Sequence, residues 1–305
     1  MACDTPILLC KEGHQINGKG KVYHESLTVP CGKCPPCKLR RVQEWVFRLQ
    51  QQEKISTNAH FVTLTYNTYH VPISDNGFMT LKKSDFQTFI KRLRKTQKTP
   101  IKYYACGEYG TKRKRPHYHA IIFNVEDSEH IVNSWTIPIR KNHPERTSIG
   151  TVHVGTVSGN SIAYTAKYID KDKTIPLHKN DDRIPEFSLM SKGLGLNYLT
   201  DAMKQYYKND PSRLHVYQLN GHTSPLPRYF KKKLWNEYEN ELKEKYQDEQ
   251  FHFVKKLIKE QEEKERKKFY LTYKNSNKTY EQWKDTKRRA RHSKFKRSKN
   301  GRDQD

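Results

Sequence analysis

Hydrophobic positions recur along this chain in two rhythms. Between Leu39 and Lys54, Val42, Trp45, Val46 and Leu49 fall at helical spacing, which predicts a helix with one buried stripe. Phe61 to Tyr66 (FVTLTY), Ile101 to Cys106, His117 to Phe123 (HYHAIIF) and Val152 to Val157 are short runs rich in β-branched and aromatic residues. They predict strands. Ser84 and Gln87 have the spacing of a capping box. The helix they open carries Phe86, Phe89, Ile90 and Leu93 on one face and basic residues on the other. Ser161 to Lys171 predicts another helix. This alternation predicts an α+β fold, an antiparallel sheet with helices packed on it.

Four segments follow from the pattern. Residues 1–55 hold a cysteine-rich stretch and the first helix, and residues 56–172 form the core. Residues 173–228 are expected to be loop-rich, with Pro176, Pro185, Pro211, Pro225 and Pro227. Residues 229–305 are expected to form a charged helix and a basic tail. From Tyr229 to Tyr270, Glu and Lys are dense enough for i,i+4 pairing on an exposed helix. The end, KRRARHSKFKRSKNGR, is expected to stay disordered until it meets nucleic acid.

Composition narrows the partners. Of the 305 residues, 34% are hydrophobic and 30% charged, and the mean hydropathy is −1.02. The formal net charge is +25. A one-sided surplus of that size implies a polyanionic partner, because lysine and arginine near phosphates release condensed counterions. No apolar run approaches the roughly eighteen residues of a membrane span. Met1 to Cys10 is too short and polar for a signal peptide. The protein is therefore expected in the cytosol where it is made, with its six cysteines reduced and serving as metal ligands or free thiols.

Candidate chemistry sits in the core. His117 and His119 lie two apart in a predicted strand, so both imidazoles point to one face. Glu108 ends the preceding strand, in CGEYG, and an antiparallel hairpin brings it back beside them. Two imidazoles and a carboxylate make a three-point metal site with open positions for water or a phosphate oxygen. The connecting turn, Lys112, Arg113, Lys114 and Arg115, is a candidate clamp for a DNA backbone.

A second group follows in NSIAYTAKYIDKD. At roughly 100° per residue, Ile162, Ala166 and Ile169 share one helix face, and Tyr164, Lys167, Tyr168 and Lys171 share the other. A tyrosine oxygen can attack a phosphodiester and become covalently joined to the 5′ side. Lys167 can stabilise negative charge on the phosphate or phenolate, and Lys171 is a further DNA contact. A free 3′-OH remains to prime a polymerase. With Tyr164 and Tyr168 adjacent on the helix, one can cleave a new junction while the other holds the old end.

The ordered set FVTLTY, GEYG, RPHYH and YTAKY resembles the motifs of HUH endonucleases. Within them it resembles the rolling-circle replication initiators of microviruses, small icosahedral single-stranded DNA phages. PCGKCPPCK and the Trp-bearing helix after it are similar to the gokushovirus-like branch. The resemblance covers residues 1–172. It implies an HUH core with a five-stranded antiparallel sheet of ferredoxin- or RRM-like ancestry, flanked by helices and followed by a basic helical extension. It implies Mg²⁺ or Mn²⁺ on His117 and His119, with Glu108 in the third place, which varies among branches. Tyr164 and Tyr168 would be nucleophiles that nick replicative-form DNA at the viral origin and later close the displaced strand into a circle, in the host cytoplasm. Because no GxxxxGK[ST] loop is present, a host helicase is an expected partner, beside a host polymerase. A relaxase or transposase of the same chemistry and a noncatalytic zinc-stabilised nucleic-acid binder are the competing readings.

Cys31, Cys34 and Cys37 are spaced closely enough to hold a soft metal, and Cys3 could complete a Cys₄ zinc site. Free thiols and iron–sulfur ligation remain open readings. Cys10 and Cys106 fall outside this grouping.

Overall fold

The computed structural model describes residues 3–12, 23–140, 143–157, 162, 175–209, 213, 215–217, 223–235, 256, 259–260, 262–273 and 279–300. The chain divides into two compact units, Met1–Arg41 with Leu199–Asp305, and Val42–Tyr198. Strands β1 (Ile7–Glu12) and β2 (Tyr23–Val29) pair as an antiparallel hairpin. Helix α1 (Pro35–Lys54) begins one turn earlier than the apolar periodicity predicts. Pro35 and Pro36 suit the first turn, where no intrahelical N–H is needed.

The second unit carries the sheet. Its strands are β3 (Ala59–Thr65), β4 (Lys102–Tyr109), β5 (Pro116–Phe123) and, after the short pair β6 (Thr136–Pro138) and β7 (Arg146–Ser148), β8 (Val152–Thr156) and β9 (Phe187–Met190). The five-stranded sheet has the order β8-β3-β5-β4-β9, and every neighbouring pair is antiparallel. The fifth strand comes from the stretch expected to be loop-rich. It is only four residues long and pairs along one edge, Cys106 opposite Ser188.

One face of this sheet is closed. Helix α2 (Lys83–Lys95) lays Phe86, Phe89, Ile90 and Leu93 over Val62, Leu64, Tyr118, Ala120 and Ile122. Ile131 of α3 (Ser128–Ser134) and Trp135 join the same cluster. Each large side chain so buried contributes roughly 1.5–3 kcal/mol, so this face is the unit's main apolar reserve. The expected capping box at Ser84 is not formed: the cap is Lys82, without a side-chain bond, and Ser84 lies inside the helix. The Tyr118 hydroxyl instead brackets Lys82, donating to its carbonyl at 2.8 Å and accepting from its N–H at 3.0 Å.

The other face is divided. Strand β5 reads PHYHAIIF, and its odd positions change from His117 and His119 to Ile121 and Phe123 halfway along. Ile121 and Phe123 pack with Tyr104, Leu49, Leu194 and Ile162, flanked by Trp45 and Val46 of α1. The two histidines remain at the polar end. Behind them, Gly150 passes so close to β3 that a Cβ there would lie 1.8 Å from the Thr65 carbonyl oxygen. Only glycine fits that crossing.

In the first unit, α4 (Asp201–Asn209), the pair β10 (His215–Tyr217) and β11 (Thr223–Pro225), α5 (Arg228–Trp235) and α6 (Tyr280–Asn300) follow. The expected charged helix is seen at Arg228–Trp235 and at 262–272; the stretch between lies largely outside the described residues. The tail departs from expectation, because α6 is helical through Asn300. A capping box starts it: Thr279 N–H donates to Gln282 Oε1 at 3.0 Å, and Gln282 N–H to Thr279 Oγ1 at 3.3 Å. Tyr280 and Trp283 then pack on Phe269, and Asp285 pairs with Arg288 and Arg289. Among the described residues no helix is long and apolar enough to cross a membrane.

Candidate metal centre

The β4–β5 hairpin sets Glu108 directly opposite His117 and Cys106 opposite His119. Strand periodicity puts all three polar side chains on the divided face. His117 Nε2 lies 2.8 Å and His119 Nε2 3.1 Å from the same oxygen, Glu108 Oε1. Donor atoms on neighbouring vertices of an octahedral shell with bonds of about 2.1 Å stand about 3 Å apart, so the spacing suits a small divalent cation. Glu108 and His119 are 6% and 8% exposed, which shelters the site from bulk water and strengthens its electrostatics.

The far side of each imidazole is also held. His117 Nδ1 faces the Arg115 carbonyl at 3.1 Å. A carbonyl only accepts, so that nitrogen carries the proton. Its Nε2 then faces a carboxylate oxygen, another acceptor, and a cation between the two satisfies both. His119 Nδ1 bonds the Thr63 hydroxyl at 3.0 Å, and its ring stacks on Phe61. Such outer partners fix the tautomer and aim the ligand nitrogen.

The hairpin turn builds this support. Gly110 N–H donates to the Arg115 carbonyl at 2.9 Å, and Lys114 N–H to the Gly110 carbonyl at 3.1 Å. Lys114 adopts a left-handed φ of 49°. Of the four basic turn residues, Lys112 and Arg113 are exposed, whereas Lys114 and Arg115 are half-buried. The Arg115 guanidinium donates twice to the Tyr66 carbonyl, at 3.2 and 2.7 Å. Arg115 therefore has a structural engagement that its charge alone did not suggest.

Tyr164, Lys167, Tyr168 and Lys171 lie outside the described residues. Their neighbour Ile162 is helical and fully buried, in the cluster with Ile121 and Phe123. That is the face bearing the histidines.

Two contributors escaped sequence reasoning. Thr63 was visible only as part of a strand, and its place beside His119 depends on the β3–β5 register. The Arg115 carbonyl leaves no side-chain signal at all. Cys106, which sequence reasoning left out of any grouping, is buried directly across from His119. In the first unit Cys3, Cys31, Cys34 and Cys37 also meet, with their sulfurs within 4.8 Å of one another.

Residues 59–173 match the family model of the phage replication-associated protein ORF2, a span that includes Glu108, His117 and His119. The chain is 32% identical over 269 residues to the replication-associated protein ORF2 of Spiroplasma virus 4, covering 79% of this chain and 83% of the relative. It is 30% identical over 271 residues to the replication-associated protein VP4 of Bdellovibrio phage phiMH2K, covering 80% and 82%. A third relative, the replication-associated protein ORF4 of Chlamydia phage 1, is 26% identical over 232 residues, 71% of this chain and 56% of its own length. No solved structure matches. With such coverage at 30% identity and above, the chain belongs to the replication-associated proteins of microviruses, as a gokushovirus-like replication initiator.

Proposed function

We propose that this initiator is an HUH-type, metal-dependent nickase and strand-joining enzyme acting on the viral origin. The observation that carries the reading is the convergence of two imidazole nitrogens and a buried carboxylate on one point, each imidazole aimed by a partner on its far side. Glu108, His117 and His119 would hold Mg²⁺ or Mn²⁺. Such an ion supplies Lewis-acid polarisation of the scissile phosphate.

The remaining chemistry belongs to the chain. The phenol oxygen of Tyr164 or Tyr168 attacks the scissile phosphorus. A phosphorus–oxygen bond to tyrosine forms, the bond to the 3′ oxygen breaks, and that oxygen leaves as a 3′-OH after taking up a proton. The phenol proton passes to solvent. Lys167 offsets negative charge on the phenolate or phosphate. One ester replaces another, so the link can be reversed when a later 3′-OH attacks it and closes the circle. Ile162 supports this assignment, because its burial ties the start of the tyrosine segment to the face that carries the histidines. Lys112 and Arg113, exposed on the hairpin turn, and Lys171 would grip the DNA backbone. Origin DNA, single-stranded or in the supercoiled replicative form, is the substrate. A host helicase and polymerase in the host cytoplasm complete the process.

The test is a nicking assay on a supercoiled replicon carrying the cognate origin, with and without Mn²⁺. Wild type is expected to relax the DNA only with metal. The Tyr164→Phe, Tyr168→Phe double variant is expected to bind DNA normally and leave it intact. Metal-independent nicking, or full activity in the double variant, contradicts the reading.

A further inference from the structure

The cysteine cluster plays no part in the proposed nicking chemistry, yet its surroundings are built. Cys3 and Cys34 sulfurs stand 3.6 Å apart, far beyond a disulfide bond of about 2.05 Å. The edge of a tetrahedron with metal–sulfur bonds of about 2.3 Å is close to 3.8 Å. All four sulfurs lie within 4.8 Å of one another, which leaves room for one ion and none for a multi-iron cluster. Cys34 and Cys37 are buried, 6% exposed each.

Hydrogen-bond donors surround the sulfurs. Cys31 Sγ accepts from the N–H groups of Lys33 and Cys34, both at 3.3 Å, and from the Thr5 hydroxyl at 3.3 Å. The N–H of Cys31 points at Cys3 Sγ at 3.2 Å, and that of Asp4 at Cys34 Sγ at 3.4 Å. Sulfur is a weak acceptor as a thiol and a better one as a thiolate. Donors aimed at it from several sides suit thiolates. The Thr5 hydroxyl, helped by those two N–H groups, holds the Cys31 thiol down to about 5, while burial pushes Cys37 up to about 12.

Asp4 connects this cage to the far end of the chain. Its backbone N–H is a cage donor, and its carboxylate, 1% exposed, accepts from the Arg291 guanidinium and lies 3.0 Å from His292 Nε2. Both partners lie on α6, whose 21 residues carry nine lysines and arginines. We propose that Cys3, Cys31, Cys34 and Cys37 bind one structural zinc ion, and that this ion fixes Asp4 as the anchor of the basic C-terminal helix. Binding turns the remaining thiols into thiolates and releases their protons to solvent. The four thiolates and Zn²⁺ then carry a net charge of −2 in the unit that holds the basic helix. This site is independent of the nicking chemistry, and its test needs no DNA.

The full chain is purified under reducing conditions without chelator, dialysed against EDTA, and assayed by elemental mass spectrometry. About one zinc per chain is expected, and replacement by Co²⁺ is expected to give the intense visible bands of a tetrahedral thiolate site. A chain without stoichiometric metal, one carrying iron, or an octahedral cobalt spectrum overturns the zinc site. Hydrogen exchange then reads the anchor. Asp4→Asn is expected to keep its zinc while amides in Tyr280–Asn300 exchange about tenfold faster, the loss of a charge-assisted bond. Cys34→Ser is expected to lose zinc and show the same acceleration. Unchanged exchange in Asp4→Asn overturns the anchor. Should Cys34→Ser fail to fold, the wild-type cobalt spectrum and Asp4→Asn still decide.

Discussion

The chain has two candidate ligand clusters, and they are built on opposite plans. Glu108, His117 and His119 are hard oxygen and nitrogen donors on two adjacent strands of one sheet. Three ligands leave coordination positions for a substrate, and the strands fix the ligands without any ion, through partners such as Thr63 and the Arg115 carbonyl. Cys3, Cys31, Cys34 and Cys37 are soft, four in number, and drawn from the chain terminus, a loop and a helix start. Four thiolates fill a tetrahedron, so nothing further can bind. An open site on a rigid frame suits chemistry on a passing phosphate. A closed site on irregular backbone suits holding that backbone in place.

The largest expected effect separates the two. His119→Ala or Glu108→Gln should lower nicking at least about 1,000-fold, in the range seen when a key electrostatic contributor is lost. Salt-dependent DNA binding and zinc content should stay within a few fold of wild type. Parallel loss of binding, nicking and zinc would mean that both clusters merely hold the fold.

Thr63→Val gives a smaller, sharper probe. It removes the hydroxyl beside His119 Nδ1 and keeps the β-branched shape of the strand. Loss of such an outer partner costs about 10–100-fold in metal affinity. The Mn²⁺ concentration for half-maximal nicking should rise by that factor, with activity recovered at saturating metal. Lower activity that excess Mn²⁺ does not restore would mean that the hydroxyl does more than orient the ligand.

The smallest effect concerns the frame around the open site. Asp181 and Arg183 form a buried two-bond pair, both contacts at 2.7 Å, and the guanidinium holds the Asp181 carboxyl well below the usual carboxylate range. A depressed carboxyl stabilises the fold above its unfolded value of about 3.9 and loses that contribution as pH falls through the folded value. Thermal unfolding should therefore show a modest decline below about pH 4. Asp181→Asn should be less stable at pH 7 and flatter in acid.

The same contrast explains what could be read from the sequence. Glu108, His117 and His119 were legible because a hairpin of two strands converts short spacing into proximity. The four cysteines were legible as a group, although Cys3 lies 28 residues before Cys31. Strand β9 was not, since FSLM is four residues in a proline-rich stretch and gains its strand character from pairing with β4. Helix α6 was misread because its charge density suggested self-repulsion. The capping spacing Thr279 to Gln282 was present in the sequence, but Phe269 and Asp4, which stabilise the helix, are distant along the chain. Thr63 needed the register, which no single strand carries.

The central claim is tyrosine chemistry under metal control, and the most direct measurement is the identity of the residue joined to DNA. Origin-containing single-stranded DNA is incubated with the full chain and Mn²⁺, denatured in SDS, digested with nuclease and protease, and analysed by mass spectrometry. The account predicts a nucleotide adduct on the peptide containing Tyr164 and Tyr168, absent without metal and absent in His119→Ala. An adduct on another residue, or cleaved DNA with no adduct at all, would contradict it.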